Sequence, residues 1–265
     1  MSEDEVMALV VSGVLALMLW ISWYWRAATV TRLASGHPQR FSLYYTPLIC
    51  VGLLLLVLMN YASSDVRTSP VYILFYLVMG MAWVGLSALL FPVFGISGRD
   101  DVAERGNLAA SHALGGALAG LTLSFAGGNI GNGPGWWVVV FCAALASAGL
   151  FALWWLLELF SHVSEAVTVD RDEAAGIRLA GYLIAAGLVL GRAVAGDWVS
   201  VDVTVSDFLR VARPLLVLAA VAVGVERVLK PTPEAPTRAA HVYGTPLAVA
   251  YFVAAAVYVH SLGAW

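Results

Sequence analysis

Charge is scarce in this chain of 265 residues, because only 12% of them are Asp, Glu, Lys or Arg. Hydrophobic residues make up 61%, and the mean hydropathy is +0.85. A water-soluble globule needs a polar surface, which this composition cannot supply. The shortage of charge excludes a soluble protein and indicates an integral membrane protein. A net charge of -3 also gives no basis for a nucleic-acid partner.

Residue patterns of the common catalytic and redox sites are also missing. The two cysteines, Cys50 and Cys142, lie in apolar runs and form no CxxC motif or Cys/His cluster, so we expect them to pack as small apolar side chains. The histidines are scattered, and there is no HExxH, no GxSxG and no Asp-rich motif for diphosphates. The only lysine, Lys230, lies in a linker, which excludes a retinal attached within a late helix. We therefore expect no enzyme activity, no cofactor and no metal site.

The chain is rich in apolar runs that are long enough to cross a bilayer. They are separated by polar, charged or Gly/Pro residues, and none shows the alternation of a β-barrel strand. The runs cover residues 6–25, 44–60, 71–94, 108–125, 136–160, 174–194, 208–229 and 246–265. They predict an all-α fold, a polytopic transmembrane bundle of about eight helices that forms a single domain over residues 1–265.

Basic residues favour one set of alternate linkers, and this bias predicts the orientation. They are Arg26, Arg32 and Arg40 in the first linker, Arg99 and Arg105 in the third, Arg171 in the fifth, and Arg227, Lys230 and Arg238 in the seventh. Because basic loops are retained in the cytoplasm, we expect a bacterial inner membrane protein with both termini outside. The segment 2–5 is acidic, so the first run is not a signal peptide with a basic n-region.

Two segments resemble each other at a displacement of 66 positions. The first begins at Asn107 and the second at Glu173, and the alignment matches His112 with Arg178 and Gly115 with Gly181. Each segment opens an apolar helix and is followed by a second one, which predicts a tandem two-helix repeat. On this division residues 1–98 hold three N-terminal helices, 99–163 and 164–230 hold the two copies, and 231–265 hold the last helix.

Small residues follow a four-residue spacing in the first helix of each copy. Gly116 and Gly120 lie in one helix, and Gly176, Gly187 and Gly191 lie in the other. This spacing puts small side chains on one face and lets helix backbones approach closely. We therefore predict that the two helices pack at the centre of the bundle. Such faces are also compatible with self-association or with contact to other membrane-protein subunits.

Four ionisable residues fall near one end of the repeat helices. His112 and Arg178 lie roughly 7–8 Å inside their helices, and Glu158 and Glu226 lie near the ends of the helices that follow. We expect one shallow layer on the cytoplasmic side, in which Arg178 pairs with Glu158 or Glu226 and His112 makes a second contact. The layer has two interpretations, structural pairing and anchoring or a pathway for a proton, ion or solute.

Two features are predicted on the outer side. Residues 127–135 are glycine-rich but lack the Lys and Ser/Thr of a phosphate loop, so we expect a flexible turn. Ser206 is a candidate N-cap, followed by Asp207, Arg210 and Arg213 at helical spacing. These residues predict a surface ion-pair ladder on a helix that bends at the following proline, and an anion-attracting mouth is the alternative.

Residues 76–196 resemble the YjfL-like family of small, uncharacterised bacterial inner-membrane proteins, which carry a duplicated domain. The resemblance depends on the sequences Glu104-Arg-Gly-Asn107-Leu-Ala-Ala, Gly115-Gly-Ala-Leu-Ala-Gly120-Leu and Asp172-Glu-Ala-Ala-Gly-Ile-Arg-Leu-Ala-Gly181-Tyr. Members often have four helices, so the flanking helices here depart from that pattern. The resemblance implies a multi-pass, non-enzymatic protein of the inner membrane and supplies no site residues.

Three functions follow from the sequence, in decreasing order of support. The first is a non-catalytic membrane protein that acts as a scaffold or subunit of a bacterial envelope complex, with the lipid bilayer and other subunits as its partners. The second is a small ion or solute channel or transporter whose pathway crosses the ionisable layer. The third is a membrane enzyme that acts on lipid, for which no acid–base or metal-ligand cluster is present.

Overall fold

The computed structural model describes residues 1–33, 41–232 and 237–263, and this part of the chain is almost entirely helical. The helices are α1 (Glu3–Leu33), α2 (Phe41–Asn60), α3 (Ser64–Arg67), α4 (Pro70–Ala88), α5 (Leu108–Gly127), α6 (Trp136–Ser161), α7 (Val163–Thr168), α8 (Glu173–Ala193), α9 (Val201–Ala212), α10 (Pro214–Val228) and α11 (Thr245–Ser261). Arg40 and Trp265, which entered the orientation and the last predicted run, lie outside the described residues.

Eight spans of the described chain are long and apolar enough to cross a membrane. Two of them combine shorter pieces, because α9 and α10 form one span over Val201–Val228, and a π-helical turn precedes α11 in the span Ala240–Ser261. The predicted polytopic helical bundle of about eight spans is therefore confirmed.

The seventh span begins earlier than the sequence suggested. Its N-cap is Ser200, whose side-chain oxygen accepts a hydrogen bond from the Val203 amide at 3.3 Å. Ser206 lies inside α9, so its prediction as the N-cap is wrong. The span is divided at Arg213, because Pro214 has no amide hydrogen to donate to the preceding turn and instead occupies the first position of α10. Asp207 pairs with Arg210 at 2.7 Å on the exposed face, and this is the first contact of the predicted ion-pair ladder.

Helices α2, α5, α8 and α11 pack side by side in that order. The other spans lie along them, with α1 against α4 and α6 against α10. Trp83 of α4 donates a hydrogen bond to the Ser147 hydroxyl of α6 at 3.0 Å, and this bond links α4 to α6. The most extensive contact in the molecule joins α5 to α8, and most of their side chains are buried.

Glycine explains how closely α5 and α8 approach. A Cβ on Gly116 or Gly120 would meet the backbone of α8, at Ala180 and Leu183. The reverse holds for the three glycines of α8: a Cβ on Gly176, Gly187 or Gly191 would meet α5, at Ala109, Gly120 and Leu123 respectively. All five glycines predicted to serve packing therefore lie in one helix–helix contact.

A glycine also allows α8 and α11 to approach closely. Helix α11 is the last of the four helices that pack side by side. A Cβ on Gly181 of α8 would meet the backbone and side chain of Ala248 in α11. On α11 itself, Val249, Val253 and Val257 form an exposed stripe at four-residue spacing. Branched side chains keep another backbone at a distance, so this edge does not offer the close contact that α5 and α8 share.

Several backbone features recur at a spacing of 65 residues, not 66. Asn107 and Asp172 are the N-caps of α5 and α8, and each follows a residue of positive φ, Gly106 at 60° and Arg171 at 55°. Asn132 and Asp197, which bond to each other, are also 65 apart. The predicted displacement of 66 is therefore wrong by one position. In the observed spacing, Arg178 corresponds to Ala113 and not to His112.

Hydrogen bonds tie down both ends of the central helix pair. At the end where the helices begin, Asn107 Nδ2 of the α5 N-cap donates to the Val167 carbonyl of α7 at 2.8 Å. At the end where they finish, which we call the loop end, the Gly196 amide donates to the Ile130 carbonyl at 2.8 Å. There the Asn132 amide also donates to Asp197 Oδ1 at 2.7 Å. The glycine-rich segment, expected to be a flexible turn, is thus bonded to the loop that follows α8.

Candidate functional site: a buried ion-pair cluster

Arg178 and Glu226 form a two-pronged ion pair at the end of the bundle where α8 begins. The guanidinium Nε donates to Glu226 Oε1 at 2.7 Å, and Nη2 donates to Glu226 Oε2 at 2.6 Å. The side chains are 0% and 5% exposed. Parallel hydrogen bonds of this kind are the strongest geometry available to an arginine and a carboxylate. Of the two carboxylates that the sequence offered, Glu226 is the one that Arg178 contacts.

The cluster joins three separate parts of the chain. Arg178 lies in α8, Glu226 lies near the end of α10, and Nη1 of Arg178 donates to the Tyr243 carbonyl at 3.1 Å in the turn before α11. Asp172, the N-cap of α8, accepts from the Arg238 amide at 3.0 Å and lies 3.9 Å from Arg178 Nη2. These contacts fix the positions of α10 and α11 against α8.

Burial adds a desolvation free energy to the formation of the ion pair. The loss of one partner costs still more, because the other charge stays buried and unpaired. Charges lose their hydration when they are buried, and their mutual attraction offsets this loss only when the geometry is good. Here every oxygen of Glu226 has a donor from Arg178. Among the described residues, Asp172 Oδ2 and the Tyr251 hydroxyl are buried without a hydrogen-bond partner. The hydrogen-bonding atoms of the Arg178–Glu226 pair are therefore used, whereas two polar atoms next to the pair have no hydrogen bond.

The other two members of the predicted layer lie outside the cluster. His112 Nε2 is 3.5 Å from Glu173 Oε1, and their side chains are 37% and 42% exposed. Glu158 accepts from the Ser164 amide at 2.9 Å and from its hydroxyl at 2.6 Å. The chain reverses at His162, whose φ is 52°, and this turn directs Ser164 back to Glu158. Of the four residues, Arg178 and Glu226 therefore meet, whereas His112 and Glu158 make local contacts.

We expect Glu158→Ala to lower the free energy of unfolding by about 0.5–2 kcal/mol, the usual value of a capping interaction. The reason is that the Ser164 amide in the first turn of α7 loses its acceptor. Thermal unfolding of the purified protein in detergent measures the change. Glu165→Ala is the matched control, because Glu165 makes only an exposed contact with Lys230. Equal effects of the two variants would contradict the capping role.

Asp172 belongs to the ion-pair cluster, although the predicted ionisable layer did not include it. It is fully buried and lies at the junction of α8, the Arg238 segment and Arg178. The sequence did contain a signal, because an Asp directly before an apolar helical run is a typical N-cap. Among the residues that the structure describes, no group of three or more His, Cys, Asp or Glu side chains is arranged to hold a metal ion.

The residues of the cluster can hold helices in place, and their chemistry is that of a buried salt bridge. Comparisons with protein-family models, curated proteins and solved structures found no match. The assignment of a function therefore depends on the geometry of this chain alone.

Proposed function

We propose that the chain is a non-catalytic, multi-pass membrane protein that serves as a scaffold or subunit of a bacterial envelope complex. The observation that supports it is the closed ion pair of Arg178 and Glu226, which bond to each other and are almost inaccessible. A charged pair that lines a conduction pathway needs contact with water or with the transported solute. A pair that is closed in this way serves to position helices.

The central glycine contact gives the same assignment a second support. Backbones that touch along α5 and α8 form a rigid element, because a shift of either helix would bring main-chain atoms into collision. A rigid core that exposes apolar side chains around it is suited to holding other membrane proteins in a fixed arrangement. Exposed apolar residues on α1 and α2, such as Met18 and Ile49, provide surfaces for lipid or for such partners.

The proposal extends to ancestry and location. The 65-residue recurrence of N-caps and positive-φ residues supports a tandem duplication of a two-helix unit. The likeness of residues 76–196 to the YjfL-like family supports a place in the bacterial inner membrane. The even number of candidate spans and the bias of basic residues toward alternate linkers support an orientation with both termini outside.

Transport is the second candidate, and one observation favours it. Asp172 Oδ2 and the Tyr251 hydroxyl make no hydrogen bond within the described chain, although both are buried; Asp172 Oδ2 lies 3.9 Å from Arg178 Nη2. Buried polar atoms that lack a hydrogen bond are costly inside a membrane protein, and they often mark a place where water or an ion binds. A pathway that uses Asp172 would pass beside the Arg178–Glu226 pair without opening it.

Purification from the native membrane tests the scaffold directly. We expect the tagged full-length protein to copurify with a stoichiometric membrane-protein partner, or as an oligomer of defined size, when native mass spectrometry determines the composition. In parallel, proteoliposomes of the wild type and of Asp172→Asn are assayed for proton and ion flux. Recovery of a lone monomer, with a flux that Asp172→Asn abolishes, would overturn the scaffold in favour of transport.

A further inference from the structure

A polar cavity lies at the loop end of the bundle, far along the chain from the ion-pair cluster. Its volume is about 160 Å³, and the glycine-rich segment 128–135 forms much of its wall. Glu5 of α1, Asp65 of α3 and Asn129 also line it. At roughly 30 Å³ for each water, this space takes about five water molecules or a partly hydrated ion.

Asn129 supplies an acceptor that nothing in the described chain uses. Its Nδ2 donates to the Phe125 carbonyl at 3.1 Å, and this bond fixes which side of the amide carries the oxygen. Asn129 is 5% exposed, and its Oδ1 has no hydrogen-bond partner among the described residues. A buried amide oxygen that lines a polar cavity and lacks a donor indicates that something within the cavity satisfies it.

The charge around the cavity has one sign. Glu5 and Asp65 bring two carboxylates, whereas no Lys, Arg or His occurs among the described residues that line the space. Tyr72 donates to Glu5 Oε2 at 3.2 Å, which orients that carboxylate. The carboxyl end of α5 lies beside Asn129, and the negative end of a helix dipole favours a cation there. The charged side chains of the described wall and the carboxyl end of α5 therefore both attract positive charge.

We propose that this cavity binds a divalent cation of the oxygen-preferring class, with Ca²⁺ as the best fit. Carboxylates, a side-chain amide oxygen, peptide carbonyls and water are the ligands that Ca²⁺ takes, and it tolerates irregular geometry. Asn129 Oδ1 is the buried ligand, and Glu5 and Asp65 provide the charge. The ion would link α1, α3 and the loop after α5, which are otherwise distant along the chain.

Terbium luminescence tests the site, because Tb³⁺ replaces Ca²⁺ at oxygen ligands and is sensitised by nearby aromatic rings. Tyr72, Tyr76 and Trp198 line the cavity and serve as the donors of excitation. The full-length protein is placed in phosphatidylcholine nanodiscs, since anionic lipid would itself bind the probe. We expect sensitised emission that Ca²⁺ displaces and that excess K⁺ does not.

Two variants and one control make the result specific to the cavity. Asn129→Leu and Asp65→Asn are each expected to weaken Tb³⁺ binding by about tenfold, because site affinity follows ligand number and charge. Asp65 is exposed, so its replacement tests the site without a risk to folding. Asp207→Asn, an exposed carboxylate paired with Arg210, should leave binding unchanged. Absence of emission from the wild type, displacement by K⁺, or unchanged binding in Asp65→Asn would overturn the proposal.

Discussion

Arg178→Met is expected to lower the free energy of unfolding by about 3–5 kcal/mol, the cost of leaving a buried charge without its partner. Glu226 would keep its burial and lose both of its donors, and Tyr243 would lose the donor to its carbonyl. A membrane domain with ordinary marginal stability does not withstand such a loss easily. We expect a low yield of folded protein and a much lower midpoint of thermal unfolding in detergent.

The double variant Arg178→Met/Glu226→Met separates the ion pair from simple packing. Replacing both charges by apolar side chains of similar size removes the desolvation cost, so much of the stability should return. Arg210→Met is the surface control, because Arg210 pairs with Asp207 in the open and its loss should cost no more than about 0.5 kcal/mol. If Arg178→Met melted like the wild type, the pair would not hold α10 and α11 in place.

Gly187→Ala is expected to destabilise the protein by about 1–3 kcal/mol, the usual range for overpacking a tight contact. A Cβ at Gly187 would meet the backbone of Gly120, which cannot rotate away as a side chain can. The helices α5 and α8 would have to separate along their most extensive contact. Unfolding of the purified variant by heat or by a denaturing detergent measures the loss.

Gly224→Ala is the matched control for that prediction. It lies inside α10, where a Cβ would meet nothing within 4 Å. Alanine is preferred over glycine in a helix interior by about 0.5–1 kcal/mol, so this variant should be neutral or more stable. Opposite signs for the same substitution would identify the α5–α8 contact as the cause. A similar loss at both positions would show that the cost of Gly187→Ala does not come from the α5–α8 contact.

The membrane spans and the packing glycines could be predicted from the sequence, because both depend on local residue patterns. Hydrophobic length predicts a membrane helix, and small residues at four-residue spacing predict a close contact. The choice between Glu158 and Glu226 as the partner of Arg178 was not accessible in this way. It depends on the turn at His162, which directs Glu158 to Ser164, and on the path of α10 past α8.

The error of one residue in the repeat spacing has a definite cause. Alanine and glycine are so frequent in α5 and α8 that a displacement of 66 produces several identities by composition. A displacement of 65 gives more identities between the two helices, among them Leu114 with Leu179 and Gly116 with Gly181, so the sequence itself favours that spacing. Asp172 was missed because Asn107, which caps α5 as Asp172 caps α8, is uncharged.

The contact between α5 and α8, together with the bonds at its loop end, limits how the protein can move. Rocking of one half against the other, as in alternating-access transporters, requires a seam along which two bundles slide or tilt. Here that seam would fall between α5 and α8, where the Asn132 and Gly196 bonds join the loops at one end and the backbones touch along the helices. A conformational change would therefore have to take place in the helices that surround this pair.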